Sequence, residues 1–285
     1  MCLILFAWNS HPDYSLVVAA NRDEFYERNT DGISYWSEHP HLLAGRDRAD
    51  VLGSPGTWLG FTKSGKFAAV TNVRAPSEKN PDARTRGELS LMYLTSDSKP
   101  ATFVEENAKR FHLYNGFNFL MADLSNPTNP EMHWVSNRMV IGSTMRPRKV
   151  FPYQPLANGV YGLSNAMLDT PWPKVNHRVA AFAQVLAMDQ GQLKGADHYL
   201  KVLADTRYAS DHELPSTGVS KEWEKALSPA FIKTPSYGTR SSTILRVRKD
   251  GQFEMVERRF DATGTVGHDV ITGALSPAPG SNLSV

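Results

Sequence analysis

Two apolar runs, Leu3 to Trp8 and Ser15 to Ala20, flank His11-Pro12-Asp13, and this pattern commits the opening of the chain to a β-hairpin. In an antiparallel pair the start of the first strand lies beside the end of the second. Cys2 therefore becomes a neighbour of Asn21-Arg22-Asp23-Glu24, although some twenty residues separate them in sequence.

Cys2 is the only cysteine among 285 residues, so the core must form without an internal disulfide. That fits a reducing compartment, and a cytoplasmic location is expected. If Met1 is removed, one residue carries both a nucleophilic thiol and a titratable α-amine. The amine, with an ordinary pKa near ~8, can take the thiol proton without a histidine. The same position also fits a small hydrophobe on a buried strand.

Composition narrows the partners. With 31 basic and 29 acidic residues the net charge is +2, too weak a field to make nucleic acid or an anionic membrane the expected partner. No apolar stretch approaches the ~18 residues that a membrane span needs. Met1 to Trp8 is too short for a secretory core and lacks both a basic leader and a small-residue cleavage pattern. His39 and His41 straddle Pro40, but there is no HExxH and no cysteine set, so no metal site is expected. A GxSxG elbow, a Walker loop and a GxGxxG fingerprint are all missing, which argues against serine-elbow hydrolases, P-loop enzymes and dinucleotide enzymes.

Further along, Thr57 to Thr62 and Lys66 to Val73 flank Lys63-Ser64-Gly65 as a second hairpin. Helical spacing marks Gly87 to Leu94 and Pro100 to Phe111. Strands are expected at Phe117 to Leu124, Met132 to Val135, Arg138 to Gly142 and Val160 to Leu163. Helices follow at Lys174 to Met188, Gly195 to Ala204 and Lys221 to Leu227. A last hairpin joins Thr243 to Arg248 with Phe253 to Phe260 around Lys249-Asp250-Gly251. Strand pairs, then helices, then strand pairs indicate a layered α+β fold rather than βαβ units. The expected organisation is one domain over residues 1–265 and a loose tail over 266–285.

Around Cys2, Arg22 would favour thiolate, and Asp23 could hold the α-amine or orient Arg22. The cluster equally fits a solvated turn with a surface ion pair. Asn72, in Val70-Thr71-Asn72-Val73-Arg74, and Asn165, in Gly162-Leu163-Ser164-Asn165-Ala166, both end apolar strands. An amide N–H held there can stabilise an oxyanion, and strand-end asparagines also cap turns. Tyr237-Gly238-Thr239-Arg240 supplies a further cation, Arg240, leading into a strand.

Met1-Cys2, Asn21-Arg22-Asp23-Glu24-Phe25-Tyr26, Ala44-Gly45-Arg46-Asp47, Gly56-Thr57-Trp58-Leu59-Gly60, Thr71-Asn72-Val73-Arg74, Arg86-Gly87, Asn115-Gly116-Phe117-Asn118, Gly162-Leu163-Ser164-Asn165, Thr170-Pro171-Trp172-Pro173-Lys174 and Tyr237-Gly238-Thr239-Arg240 occur in order. With them the chain resembles the NRDE family, the transport and Golgi organisation protein 2 family, from Met1 to about Phe260. It departs from the pattern at Asn29-Thr30, where proline is expected, and at Ser54-Pro55, where a glycine pair is usual. The resemblance implies an N-terminal-nucleophile hydrolase-like fold, a four-layer αββα sandwich of two antiparallel sheets between helical layers. More distantly the chain is similar to choloylglycine-hydrolase-type amidases. On that analogy Cys2 attacks an acyl carbon, Arg22 and Asp23 support the thiolate and amine, Asn72 and Asn165 line the oxyanion region, and Arg240 is a late cation near the site.

Two functions remain open. One is a cysteine amidohydrolase or acyltransferase that acts on a small amide or thioester and requires no cofactor. The other is a non-catalytic carrier of haem or acyl-CoA, in line with the haem trafficking and lipid homeostasis that the resemblance implies; Cys2, His112, His133 or His177 would then be candidate iron ligands.

Overall fold

The structure, a computed structural model, describes residues 2–48, 56–141, 144–148 and 155–276. Along the described chain run β1 (Cys2–Trp8), β2 (Tyr14–Phe25), β3 (Thr30–Trp36), β4 (His39–Asp47), β5 (Leu59–Thr62) and β6 (Lys66–Asn72). Helices α1 (Gly87–Leu94) and α2 (Pro100–Asn107) precede β7 (Phe117–Asp123), β8 (Glu131–Ser136), β9 (Arg138–Ile141), β10 (Thr144–Pro147) and β11 (Gly159–Leu163). Helices α3 (Pro173–Met188), α4 (Ala196–Leu203) and α5 (Lys221–Ala226) lead to β12 (Tyr237–Arg248), β13 (Gln252–Asp261) and β14 (Gly264–Ala274).

Two six-stranded antiparallel sheets form, in the orders β11-β1-β2-β12-β13-β14 and β3-β4-β5-β6-β7-β8. Because side chains alternate along a strand, each inner strand splits its residues between two cores. In β1, Ile4, Phe6 and Trp8 enter the layer between the sheets, while Leu3, Leu5 and Ala7 pack outward beneath α3 and α4. The second sheet does the same, with Ala68 and Val70 packing against α1 and α2. The chain is thus a four-layer αββα sandwich. Strands covered on both faces read as uninterrupted apolar runs, which is why the opening hairpin was legible.

Several parts differ from the sequence reading, among them β10, which was not expected. β3 and β4 were not expected: register shifts between Asp31 and Ser34 and between Tyr35 and Trp36 break the period-two pattern. β14 replaces the start of the expected tail, pairing with β13 from Gln252↔Ala274 to Asp261↔Gly264. It leaves Val266 and Val270 more than half exposed, so no apolar run announces it. The α-helix expected over Pro100 to Phe111 ends at Asn107 and continues as a 3-10 turn. Gly142, at the end of one expected strand, and Ser54-Pro55 lie outside the described residues.

Candidate active site at the end of the sandwich

Cys2 is the first residue of β1, a strand held between β2 and β11, and its direct partner in the β1–β2 register is Arg22. Both stand on the face shared with Ile4 and Ala20, so they point toward the space between the sheets, with Cβ atoms about 5 Å apart by strand geometry. The cross-strand placement derived from the hairpin is the one observed.

Here the ends of both sheets surround a cleft of about 530 Å³, lined among others by Cys2, Arg22, Asp23, Trp58, Asn72, Arg74 and Arg86. The Cys2 thiol is pushed above its ordinary pKa by burial and by Asp23, against the pull of Arg22 and of the Asp23 backbone N–H that hydrogen-bonds the sulfur. A thiol kept protonated in this way needs a base within reach before it can attack.

Arg22 is 5% exposed. Its Nη2 donates to Asp47 Oδ2 at 3.1 Å, its guanidinium stacks on the Trp58 ring at 4.6 Å, and its buried Nη1 has no hydrogen-bond partner among the described residues. Asp47 serves two cations, since Arg28 also reaches it at 2.9 Å. Trp58 can lie under Arg22 only because residue 45 is glycine: a Cβ there would stand 2.4 Å from the indole edge.

Asp23 is buried, which raises its carboxyl above the usual range. Its Oδ1 accepts from Thr239 Oγ1 at 2.7 Å, and its backbone oxygen accepts from the Tyr237 hydroxyl at 3.0 Å.

The two asparagines have different tasks. Asn165 is 1% exposed and does not line the cleft. Its Nδ2 is spent on Asn72, donating to the backbone oxygen at 3.0 Å and to Oδ1 at 2.7 Å, while its Oδ1 accepts from the Cys2 backbone nitrogen at 3.3 Å. Asn165 therefore holds the nitrogen of Cys2, and its amide N–H groups are turned to Asn72. With Asn72 Oδ1 committed to Asn165, the Asn72 Nδ2 has no partner among the described residues, and Asn72 lines the cleft. Ser164 Oγ completes the clasp by donating to the Cys2 carbonyl at 2.9 Å.

Arg240 lies elsewhere. At the bulge in β12 its Nη1 donates to the carbonyls of Phe25, Tyr26 and Arg28, and its Nε to Phe260, so it braces the chain after β2 outside the cleft.

Two residues not singled out from sequence line this cleft, Asp47 and Arg86, and a third, Lys174, lies beside a different pocket yet close enough to feel the charge of Asp23. Arg86 caps α1 and is held over the cleft by the close approach of Gly56 to Gly87, where a Cβ on residue 56 would stand 3.0 Å from the Gly87 backbone. The Arg86 backbone oxygen accepts from the Leu89 N–H at 3.0 Å, but its side chain makes no hydrogen bond or ion pair among the described residues, and burial lowers its pKa against the attraction of the Cys2 sulfur and Glu24. Lys174 is buried with Nζ 3.0 Å from the Leu227 carbonyl, and its pKa is lowered to about 8 by burial against the pull of Asp23. Each falls in one of the ordered motifs, but nothing local told that a loop cation or a first-turn lysine would be turned inward.

Among the described residues no helix is long and apolar enough to cross a membrane, and no group of three His, Cys, Asp or Glu side chains is placed to hold a metal ion. His112, His133 and His177 are not in the lining of the Cys2 cleft.

A family model described as Transport and Golgi organisation 2 matches residues 1–262. The chain belongs to that family. Transport and Golgi organization 2 homologs from mouse and from human are each 33% identical over 269 residues, covering 90% of this chain and 92% of theirs. The Drosophila melanogaster family member is 26% identical over 275 residues, covering 90% of this chain and 91% of its own. In backbone the chain is also similar to two structures of the conjugated bile acid hydrolase from Clostridium perfringens, aligned over 100% of each chain with TM-scores of 0.41 and 0.44 and identities of 8% and 11%. That likeness is too loose to bear on the chemistry of the site.

Proposed function

We propose that this family member is an N-terminal-nucleophile cysteine enzyme, an amidohydrolase or acyltransferase that acts on a small amide or thioester after Met1 is removed. The carrying observation is that one residue presents both its sulfur and its nitrogen to fixed partners at the cleft: the sulfur beside Arg22 and the Asp23 N–H, the nitrogen on Asn165 Oδ1. While Met1 is attached that nitrogen is an amide and no base. Its release gives an amine on the same carbon as the Cβ that bears the sulfur.

The amine then takes the thiol proton as sulfur attacks the acyl carbon, forming a C–S bond. The oxyanion that develops faces the Asn72 Nδ2, a donor held in place by Asn165 before the reaction begins. Collapse expels the leaving amine or thiol, which departs with the proton the amine returns, and leaves acyl-Cys2. Water, or an acceptor amine, attacks the thioester with the same amine as base. No cofactor is required.

Mass measurement of the N-terminal peptide tests this directly. The expected result is a chain starting at Cys2 that gains one acyl mass from a short-chain thioester, with no gain in Cys2→Ala. An active protein that retains Met1 overturns the reading. A carrier for haem or acyl-CoA is the second reading, favoured by cationic groups in the cleft that lack partners; a carrier keeps its ligand affinity in Cys2→Ala, whereas an acyl-enzyme cannot form.

A further inference from the structure

The cleft holds more positive charge than its own acids neutralise. Arg22, Arg28, Arg74, Lys79, Arg84 and Arg86 line it, against Asp23, Glu24, Asp47 and Glu78. Most of these acids are spoken for: Asp47 is divided between Arg22 and Arg28, Glu24 lies 3.8 Å from Arg28, and Glu78 lies 2.6 Å from Arg138. Arg74 and Arg84 have their own partners, Glu224 at 2.5 Å and Glu88 at 2.7 Å. Donors without partners remain on residues that line the cavity, the buried Nε of Arg74 among them. The Nη1 of Arg22, on a side chain 95% buried by its 5% exposure, has no partner among the described residues, and neither does the Arg86 guanidinium.

An unsatisfied buried guanidinium N–H carries a desolvation cost that an incoming acceptor removes. Two guanidinium groups on one cavity wall are the donors best shaped for planar or tetrahedral oxyanions, because each presents a fork of N–H bonds. The N-terminal end of α1 adds to the same bias, since Gly87 lines the cleft and the positive end of the helix dipole lies there.

We propose that Arg86 and the Nη1 of Arg22 form an anion subsite beside Cys2, so that the acyl compound processed there carries a carboxylate or phosphate close to its reactive carbonyl. The identification of the substrate as anionic rests on the nucleophile reading, but the subsite itself does not. Arg86 is then a specificity residue. The Arg22 and Arg86 charges could instead serve only to stabilise thiolate, and that role would affect neutral and anionic electrophiles alike.

Because Cys2 is the sole cysteine, alkylation of the folded full-length protein reports on this subsite alone. Iodoacetate and iodoacetamide are near-isosteric, and the ratio of their rates at Cys2 is the readout. The subsite raises that ratio at least tenfold above the ratio for free cysteine, and Arg86→Gln returns it to within about threefold of free cysteine. Arg86→Lys, which keeps the charge without the fork, falls between. In the unmodified chain, inorganic phosphate and succinate are added separately: each lowers the iodoacetate rate more than the iodoacetamide rate, and the stronger competitor tells whether a phosphate or a carboxylate is preferred. A wild-type ratio equal to that of free cysteine overturns the proposal, as does a high ratio unchanged by Arg86→Gln. A Cys2 that reacts with neither reagent removes it from the cleft wall and overturns the proposal too. A raised ratio in a protein that never forms acyl-Cys2 leaves the subsite standing and sinks the catalytic reading, so the two failures are distinguishable.

Discussion

Two buried arginines in this molecule sit in opposite surroundings. Arg246, 0% exposed in β12, is enclosed by acids: its Nη2 meets Glu254 Oε2 at 2.5 Å, its Nη1 meets Asp189 Oδ2 at 3.3 Å, and the carbonyls of Gln192 and Lys194 accept from Nη1 at 3.0 and 3.1 Å. Arg22, which lines the cleft, shares a single carboxylate with Arg28 and has a buried Nη1 without a partner among the described residues. The first arrangement spends its charge inside the fold, locking α3 and the turn after it to the first sheet. Each keeps one buried N–H without a partner among the described residues, Nε in Arg246 and Nη1 in Arg22, but of the two it is Arg22 that lines the cleft. The contrast separates a charge that holds structure from a charge available to a ligand, and it can be broken in several ways.

The largest difference is expected in chemistry. Cys2→Ser lowers turnover of a thioester by at least about 10³-fold, roughly 4 kcal/mol at the transition state, with little change in the urea midpoint. Parallel rate and unfolding measurements check this; a loss of stability that accounts for the lost activity would return Cys2 to the core.

Next, Arg246→Met strands Asp189 and Glu254 as buried charges and costs about 3–5 kcal/mol in urea unfolding. Arg22→Met leaves Asp47 paired with Arg28 and costs no more than about 1 kcal/mol, while thioester turnover falls at least about tenfold. Equal destabilisation by both variants would erase the distinction.

The surroundings of Asp23 also differ in their pH response, through Lys174. Burial lowers its pKa from the ordinary 10.5 to about 8, so between these values the unfolded chain binds a proton that the folded chain does not. Stability therefore rises as pH climbs through that window, and the cost of the buried charge is present in full below it. The gain is on the order of 3 kcal/mol. Lys174→Met removes this slope, and urea titrations at pH steps across the window measure it.

The smallest effect is expected at Gly45→Ala. The new methyl group meets the Trp58 indole, which must shift from beneath Arg22, at a cost of about 1 kcal/mol. Thioester turnover falls a few-fold while the Arg246 region is untouched, as thermal unfolding combined with kinetics shows.

Much of the site was legible because it depends on local patterning. The apolar runs around His11-Pro12-Asp13 set the β1–β2 pairing, and that register alone brings Cys2 opposite Arg22. Asn72 and Asn165 were recognisable as strand ends for the same reason. Their division of labour was not, since which amide nitrogen donates to the other is settled only where two sheets meet, 93 residues apart in sequence. Arg240 misled because a β-bulge after Thr239 turns its guanidinium to the carbonyls of residues 25, 26 and 28.

From the sequence by itself came the layered α+β class, the family, and the lone thiol facing an arginine, because hydrophobic periodicity and strand pairing act over short stretches. The tertiary structure alone decided that Arg86, on a loop, and Lys174, in the first turn of α3, face inward near that thiol, and which of the many cations keep donors without acceptors. Those outcomes depend on how the charges of two sheets and three segments are shared at one crowded end of the sandwich, a balance that no stretch of sequence carries alone.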